Sequence, residues 1–283
     1  MTFYEAANRA RARLIDAGLQ PVTAALDADL LARHAAGWDL ATWLARRAEP
    51  GTDAFHEAYQ PLVDRRLTRE PVAYIRGVQE FWGREYHVTP DVLIPRPETE
   101  LLIERALVFL AAKSDATVVD IGTGSGCIAI TLALEYPAAQ VHAVDISEPA
   151  LAVARHNAAR LGAGRVRFLH GSHLAHAPRP IDLIVANPPY VAERDKPGLS
   201  PEVREHEPAV ALFGGYDGWR DVRAILVAAP DALSVDGCLM MELGYGQSEQ
   251  LAEAVEQVGR LVLQHIAEDI QGIPRLAIVT RGH

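Results

Sequence analysis

Val119-Asp120-Ile121-Gly122-Thr123-Gly124-Ser125-Gly126-Cys127 decides the fold. An apolar strand ends, three glycines follow at alternate positions, and a helical stretch starts at once. Glycines at a strand-to-helix turn let the backbone come close to a ligand, and the helix N-terminus offers free N–H donors. Ligands of open α/β sheets bind at such strand ends. The spacing discriminates between ligands. A dinucleotide fingerprint would put its third glycine at position 127, which is Cys127. Gly-x-Gly-x-Gly suits a wider loop around a ligand without a pyrophosphate.

Beyond this loop the chain alternates. Apolar, strand-like runs at 117–120, 141–145, 166–170, 181–187 and 238–242 are separated by helical stretches at about 126–136, 149–161 and 217–234, with another at about 99–112. Near-continuous apolar strands between helices predict a parallel sheet covered on both faces. Two further β-runs, 261–266 and 276–280, flank a polar stretch with Gly272 and Pro274, which predicts an antiparallel pair at one end of the sheet. The second strand ends in Asp145, placed to accept hydrogen bonds from a ribose diol. Asp120, just ahead of the glycines, suits an amino group such as that of a methionine moiety.

The fourth strand ends in Ala186-Asn187-Pro188-Pro189-Tyr190. The two prolines lack N–H groups and have fixed φ, so a rigid turn results. A methyl group on a positive sulfur is already activated for in-line displacement. The missing partner is a nucleophile, because an amide or aryl amine nitrogen shares its lone pair with a π-system. Asn187 Oδ1 and the Pro188 carbonyl can grip the two NH₂ hydrogens and stabilise the charge that develops on nitrogen. Tyr190 can lie flat on the planar group. The gain is in orientation, so no catalytic base is expected. On these residues alone, any planar NH₂, whether a glutamine amide or adenine N6, is a candidate acceptor.

Residues 1–73 read as helices without a strand signal. Phe55, Ala58, Tyr59, Leu62 and Val63 share one helix face. Leu40, Trp43 and Leu44 mark another, and Leu26, Leu30 and Leu31 a third, with Asp27 and Asp29 on its polar side. Arg65, Arg66 and Arg69 read as a solvated basic face. Trp38, Trp43, Trp82 and Trp219 read as packing residues. At 74–88 two β-rich runs flank Gly83-Arg84, which predicts a hairpin with a type II′ turn. Residues 74–96 thus form a β-hairpin linker between a helical domain (1–73) and an α/β domain (97–283).

The net charge is −10, and residues 1–73 carry nine Arg against ten Asp plus Glu, so the acidity lies in the rest of the chain. An acidic body disfavours a nucleic-acid substrate, whose phosphates call for Lys and Arg. Cys127 and Cys238 form neither a disulfide framework nor a zinc motif. No signal peptide and no membrane-spanning run is read. The expectation is a cytoplasmic monomer without membrane or direct nucleic-acid contact. His170, His173 and His176 read as a solvated loop, with no metal site. Glu242, closing the 238–242 run, is open to a loop or a functional role.

Taken together, Arg69–Gly77, Val92–Glu100, Asp120–Gly126, Asn187–Tyr190 and Glu207–Leu212 resemble the release-factor glutamine methyltransferase family, over almost the whole length. The resemblance implies a class I S-adenosylmethionine-dependent methyltransferase, a Rossmann-like seven-stranded sheet with a small N-terminal helical domain that recognises substrate. It implies S-adenosyl-L-methionine bound by Asp120, Gly122, Thr123, Gly124, Ser125, Gly126, Asp145 and Asn187. His173 is carried over to the adenine side, where many members have an acidic-then-aromatic pair. It implies that Asn187, Pro188, Pro189 and Tyr190 hold the glutamine of the Gly-Gly-Gln loop of class I peptide chain release factors, with Arg96 at the entrance. The product would be N5-methylglutamine. Related enzymes acting on a ribosomal-protein glutamine usually carry Ser-Pro after Ile-Pro-Arg. Here Pro97-Glu98-Thr99-Glu100 favours the release-factor branch over that alternative, and over an N6-adenine DNA methyltransferase.

Overall fold

Thr2 starts the first helix, α1 (Phe3–Asp16), with a capping box: its hydroxyl accepts from Glu5 N while the Glu5 carboxylate accepts from Thr2 N. Four more helices follow in the computed structural model, which describes residues 1–282: α2 (Pro21–Ala36), α3 (Leu40–Arg46), α4 (Asp53–Leu67) and α5 (Val72–Arg76). They form one compact unit, residues 1–78 joined by 200–206. Phe3, Leu14, Leu31, Trp43, Phe55 and Tyr59 fill its core.

Two helix faces differ from the sequence reading. On α3 only Trp43 is buried, whereas Leu40 and Leu44 face solvent. On α2 the buried stripe is Ala24, Asp27, Ala28, Leu31 and Ala32, so Asp27 lies on the apolar face and Leu26 points outward. The reason is an ion pair. Arg66, only 3% exposed, continues the stripe of Phe55, Tyr59 and Val63 on α4 and donates to Asp27 Oδ2 at 2.7 Å. Arg66 and Arg69 both donate to Glu202. The basic cluster is therefore mostly internal to this unit, and only Arg65 is exposed.

The second unit holds residues 79–199 and 207 onward. It opens with a hairpin, β1 (Val78–Phe81) and β2 (Arg84–His87). Its turn residues are Trp82 and Gly83, not Gly83 and Arg84. Their φ values of 53° and 69° make this a type I′ turn, not type II′. Trp82 tolerates the left-handed conformation because Glu100 Oε1 accepts from its N–H at 2.8 Å and Glu80 Oε1 accepts from Gly83 N at 2.6 Å.

There follow α6 (Glu100–Leu110), β3 (Thr117–Ile121), α7 (Cys127–Glu135), β4 (Gln140–Asp145), α8 (Glu148–Leu161), β5 (Arg167–His170) and β6 (Ile181–Ala186). Next, α9 (Pro201–His206) belongs to the first unit. The chain returns through α10 (Ala209–Leu212), α11 (Arg220–Ala232), β7 (Leu233–Glu242), α12 (Ser248–Val258), β8 (Leu261–Glu268) and β9 (Pro274–Arg281).

Seven strands form one sheet in the order β5-β4-β3-β6-β7-β9-β8. β3 to β7 run parallel, and β9 is antiparallel to both β7 and β8. Strand residues alternate between two cores. Val118, Leu183, Val185 and Met240 face α6 and α7, whereas Val119, Ile184, Ala186 and Met241 face α11 and α12. This two-sided burial is why the strands read as continuous apolar runs. Strand order reverses between β3 and β6, which makes their carboxyl ends the switch point where ligands bind.

Candidate active site

Register builds the site. Ile121 of β3 pairs with Val144 of β4 and Ala186 of β6, and Ala186 pairs with Met241 of β7. One residue further along each strand come Gly122, Asp145, Asn187 and Glu242. Four chemically distinct groups thus leave the sheet side by side.

Gly122, Asp145 and Asn187 border a cavity of about 500 Å³, while Glu242 is buried outside its lining. Gly122, Thr123, Gly124, Ser125, Asp145, His173, Asn187, Pro188, Pro189, Pro95 and Arg96 line it. Among the residues singled out from sequence, Asp120, Gly126 and Tyr190 do not. Asp120 is fully buried beneath the glycine loop. Its Oδ2 accepts from Thr123 Oγ1 at 2.6 Å and Ala129 N at 3.2 Å. Burial pushes its carboxyl up to about 7, against the lowering effect of those two donors. Gly126 is structural. At φ 82° it caps α7, and a Cβ there would lie 2.7 Å from Ile130 Cδ1 and 3.1 Å from Ala154 Cβ.

The glycine loop is shaped to receive a ligand. Gly122 and Gly124 have φ of 70° and 56°. A Cβ on Gly122 would meet nothing within 4 Å, so its absence leaves the approach to the backbone open. Asp145 braces the loop: Oδ2 accepts from Gly124 N at 2.8 Å and Oδ1 from Ser147 N at 2.9 Å. Its carboxyl is raised by burial, and the backbone donors partly offset this. Asp120 Oδ1 is buried and has no partner among the described residues. An unpaired buried acceptor is costly, and a donor-bearing ligand such as an ammonium would satisfy it. The donor and acceptor set fits S-adenosylmethionine: Asp145 for a ribose diol, the loop backbone for the carboxylate end, and Asp120 for the amine.

Elsewhere in the cavity lining, His173 lies at φ 50°. Its Nδ1 bonds Ser172 Oγ at 2.8 Å and its Nε2 donates to Asp221 Oδ1 at 3.0 Å. Asp221, from α11, also lines the cavity, as do Ile146, Ser147, Val210 and Ala211. Sequence reasoning did not assign these residues. The Glu207–Leu212 segment was visible as a motif, but its role was not. His170 bonds the Ile146 carbonyl instead of joining His173, and His176 is exposed.

The Asn-Pro-Pro-Tyr loop is held from below and from one side. Gly214 and Gly218 lie so close to the carbonyls of Pro189 and Tyr190 that a Cβ at either position would overlap them. Tyr190 O accepts from Gln247 Nε2 at 3.2 Å, and the Tyr190 ring abuts Gly244. The Tyr190 hydroxyl donates to Glu242 Oε1 at 3.4 Å, and burial raises its pKa. Asn187 Nδ2 donates to Thr99 Oγ1 at 3.2 Å. Among the described residues, nothing donates to Asn187 Oδ1 or to the Pro188 carbonyl. Arg96 donates to the buried Glu207, which also accepts from Ile94 N.

Comparison with known proteins gives the family. Residues 98–201 match the methyltransferase small domain family, and residues 5–77 match the PrmC N-terminal domain family. The release factor glutamine methyltransferase of Bordetella pertussis is 44% identical over 254 residues, covering 89% of this chain and 93% of its own. That of Cereibacter sphaeroides is 43% identical, covering 93% of each. Among solved structures, the hMettl16 catalytic domain with the MAT2A 3′UTR hairpin 6 superposes at a TM-score of 0.56 and 14% identity, over 83% of this chain and 94% of its own. A Pyrococcus furiosus methyltransferase superposes at 0.52 and 19%, over 72% and 91%. At those identities the two structures speak for the fold alone. With near-full-length relatives above 40% identity, the chain belongs to the release factor glutamine methyltransferase family.

Proposed function

We propose that this enzyme transfers the methyl group of S-adenosylmethionine to the side-chain amide nitrogen, N5, of the glutamine in the Gly-Gly-Gln motif of class I peptide chain release factors. One observation carries the reading. Two unengaged acceptors, Asn187 Oδ1 and the Pro188 carbonyl, sit beside the glycine loop at the switch point of the sheet, in one cavity. When bound, S-adenosylmethionine supplies a sulfonium-activated methyl group. Gly122, Thr123, Gly124, Ser125, Asp145 and Asp120 would hold it, with His173 and Asp221 on the adenine side.

The chain's own groups do the rest. Asn187 Oδ1 and the Pro188 carbonyl accept from the glutamine NH₂ and fix the nitrogen in place. As positive charge grows on nitrogen, the same two oxygens stabilise it. Pro189 shields the amide from water, Tyr190 packs behind it against Gly244 and Glu242 instead of lying on the amide, and Arg96 lines the cavity, held by Glu207. The helical residues 1–73, which match a family model of their own over 5–77, dock the release factor. The net charge of −10 favours a protein substrate over nucleic acid. The enzyme acts as a monomer in the cytoplasm.

The test uses methyl-labelled S-adenosylmethionine with a class I release factor and with the same factor carrying alanine in place of the Gly-Gly-Gln glutamine. Ribosomal proteins and unmethylated DNA run in parallel. Label on the unmodified factor alone supports the proposal. Label on the alanine variant, on a ribosomal protein or on DNA would replace the substrate.

A further inference from the structure

Asn187 can hold an NH₂ group only if it turns its oxygen toward the cavity. An asparagine amide is nearly symmetric in shape and opposite in polarity at its two ends, so a neighbour must decide which end points where. That neighbour is Thr99, which accepts from Asn187 Nδ2. A hydroxyl has a single proton. Thr99 gives its proton to Glu242 Oε2 at 2.7 Å, so its oxygen meets Asn187 through a lone pair. Glu242 is 4% exposed and also accepts from the Tyr190 hydroxyl. Both polar side chains of the Asn-Pro-Pro-Tyr loop therefore lead to one buried carboxylate outside that loop.

We infer that Thr99 and Glu242 are positioning residues for methyl transfer: the Glu242 carboxylate sets the direction of the hydrogen-bond chain through Thr99 Oγ1, and that direction turns Asn187 Oδ1 toward the substrate amide. The inference rests on the reading of Asn187 as the amide acceptor.

The chain has a second direction. A protonated Glu242 donates to Thr99, the Thr99 hydroxyl then donates to Asn187 Oδ1, and the Asn187 amide turns over. Its NH₂ would face the substrate NH₂, two donors with no acceptor between them. Several groups face Glu242: Glu98 and Thr99 from the turn before α6, Tyr190 after β6, Arg275 of β9 and Cys127 at the start of α7. Burial is the largest influence and Glu98 adds to it, against Thr99, Arg275 and Tyr190, leaving the carboxyl at about 6. Turnover should fall on the acid side with that midpoint.

The experiment compares Thr99→Val, which keeps the shape and removes the hydroxyl, with Thr99→Ser, which restores it, and adds Glu242→Gln. Thr99→Val should lower kcat by about 10- to 100-fold, the scale of a lost orienting or charge-stabilising contact. The release-factor KM and the Kd for S-adenosylhomocysteine should stay within about twofold, because neither depends on the Asn187 oxygen alone. Thr99→Ser should recover most of kcat. In the S-adenosylhomocysteine complex, the Asn187 side-chain NH₂ resonances should titrate with a midpoint near 6. That titration, and the acid limb of turnover at saturating S-adenosylmethionine, should vanish in Glu242→Gln. A folded Thr99→Val with full kcat, a Thr99→Ser as impaired as Thr99→Val, or a titration that survives in Glu242→Gln would each overturn the inference. If Thr99→Val does not fold, the resonance titration decides. If the wild-type enzyme leaves release factor unmethylated, the reading of the substrate fails, and the Asn187 resonances still report on the positioning chain by themselves.

Discussion

Asn187 and Gly122 leave adjacent parallel strands at the same height, one residue past the Ile121–Ala186 pair. The proposed acceptor of the substrate amide and the glycine loop proposed to receive the cofactor are therefore fixed to each other by sheet hydrogen bonds, not by loop packing. A site built on strands holds its geometry more closely than one built on loops.

Asn187→Ala removes one of two acceptors from the amide nitrogen. Turnover should fall by about 10²- to 10³-fold, as when one preorganised charge-stabilising contact is lost. Calorimetry should show little change in S-adenosylmethionine affinity. Wild-type turnover in this variant would rule out the acceptor mechanism.

The glycines divide by what a Cβ would meet. Gly126→Ala would press on Ile130 and Ala154 at a φ of 82°, and Gly218→Ala would run into the Tyr190 carbonyl at a φ of 78°. Each should cost about 2 to 4 kcal/mol of stability, from overpacking together with backbone strain. Gly122→Ala meets open space. It should cost about 1 kcal/mol from its positive φ and show its main effect as weaker cofactor binding. Thermal melts beside binding isotherms separate the two classes.

Two buried carboxyls with large shifts weigh on the response to pH, opposed by His142, whose imidazole is lowered by burial. Burial raises Asp120 to about 7 and Glu242 to about 6. The folded protein keeps these protons where the unfolded chain has released them. Their contribution to stability is therefore full below the unfolded values near 4 and is lost as pH rises through about 6 and about 7. The cofactor-free protein should melt at lower temperature at about pH 8 than at about pH 5.5. An ammonium beside Asp120 favours its ionised form, so S-adenosylmethionine affinity should climb between about pH 6 and about pH 8. Asp120→Asn should flatten that climb. Affinity independent of pH in the wild type would remove Asp120 from the cofactor's amine.

Within the helical unit, Arg66 bridges Asp27 and Glu202 from a buried position. Burial raises the Asp27 carboxyl, and Arg66 is the first group to oppose that. Arg66→Ala strands Asp27, while Glu202 keeps Arg69, and should cost about 3 to 5 kcal/mol. Chemical denaturation followed by far-UV circular dichroism measures it. A loss under about 1 kcal/mol would show that water can replace the guanidinium.

The sheet, the glycine loop and the Asn-Pro-Pro-Tyr turn were legible because each is local: apolar runs buried on both faces, φ-permissive glycines and two adjacent prolines. What escaped depends on partners far along the chain. Asp27 reads as a polar-face residue until Arg66, 39 positions on, is placed against it. Arg66 itself follows Val63 at helical spacing, a signal that charge alone obscured. The hairpin turn shifted by one residue because Glu100 supports Trp82 in a conformation its own side chain disfavours. Thr99 lay inside a recognised motif, yet nothing local tied it to Glu242, 143 positions away. Helix ends also misled: β7 begins at Leu233, ahead of the apolar run from Cys238, because its solvent-facing first half carries Ser234 and Asp236.

The most direct test is to react the enzyme with S-adenosylmethionine and a class I release factor and to locate the added methyl by fragmentation mass spectrometry. One methyl group is expected, on the side-chain amide nitrogen of the Gly-Gly-Gln glutamine, appearing about 10²- to 10³-fold more slowly when Asn187 is alanine. A methyl group on another residue, or on that glutamine equally fast without Asn187, would contradict that expectation.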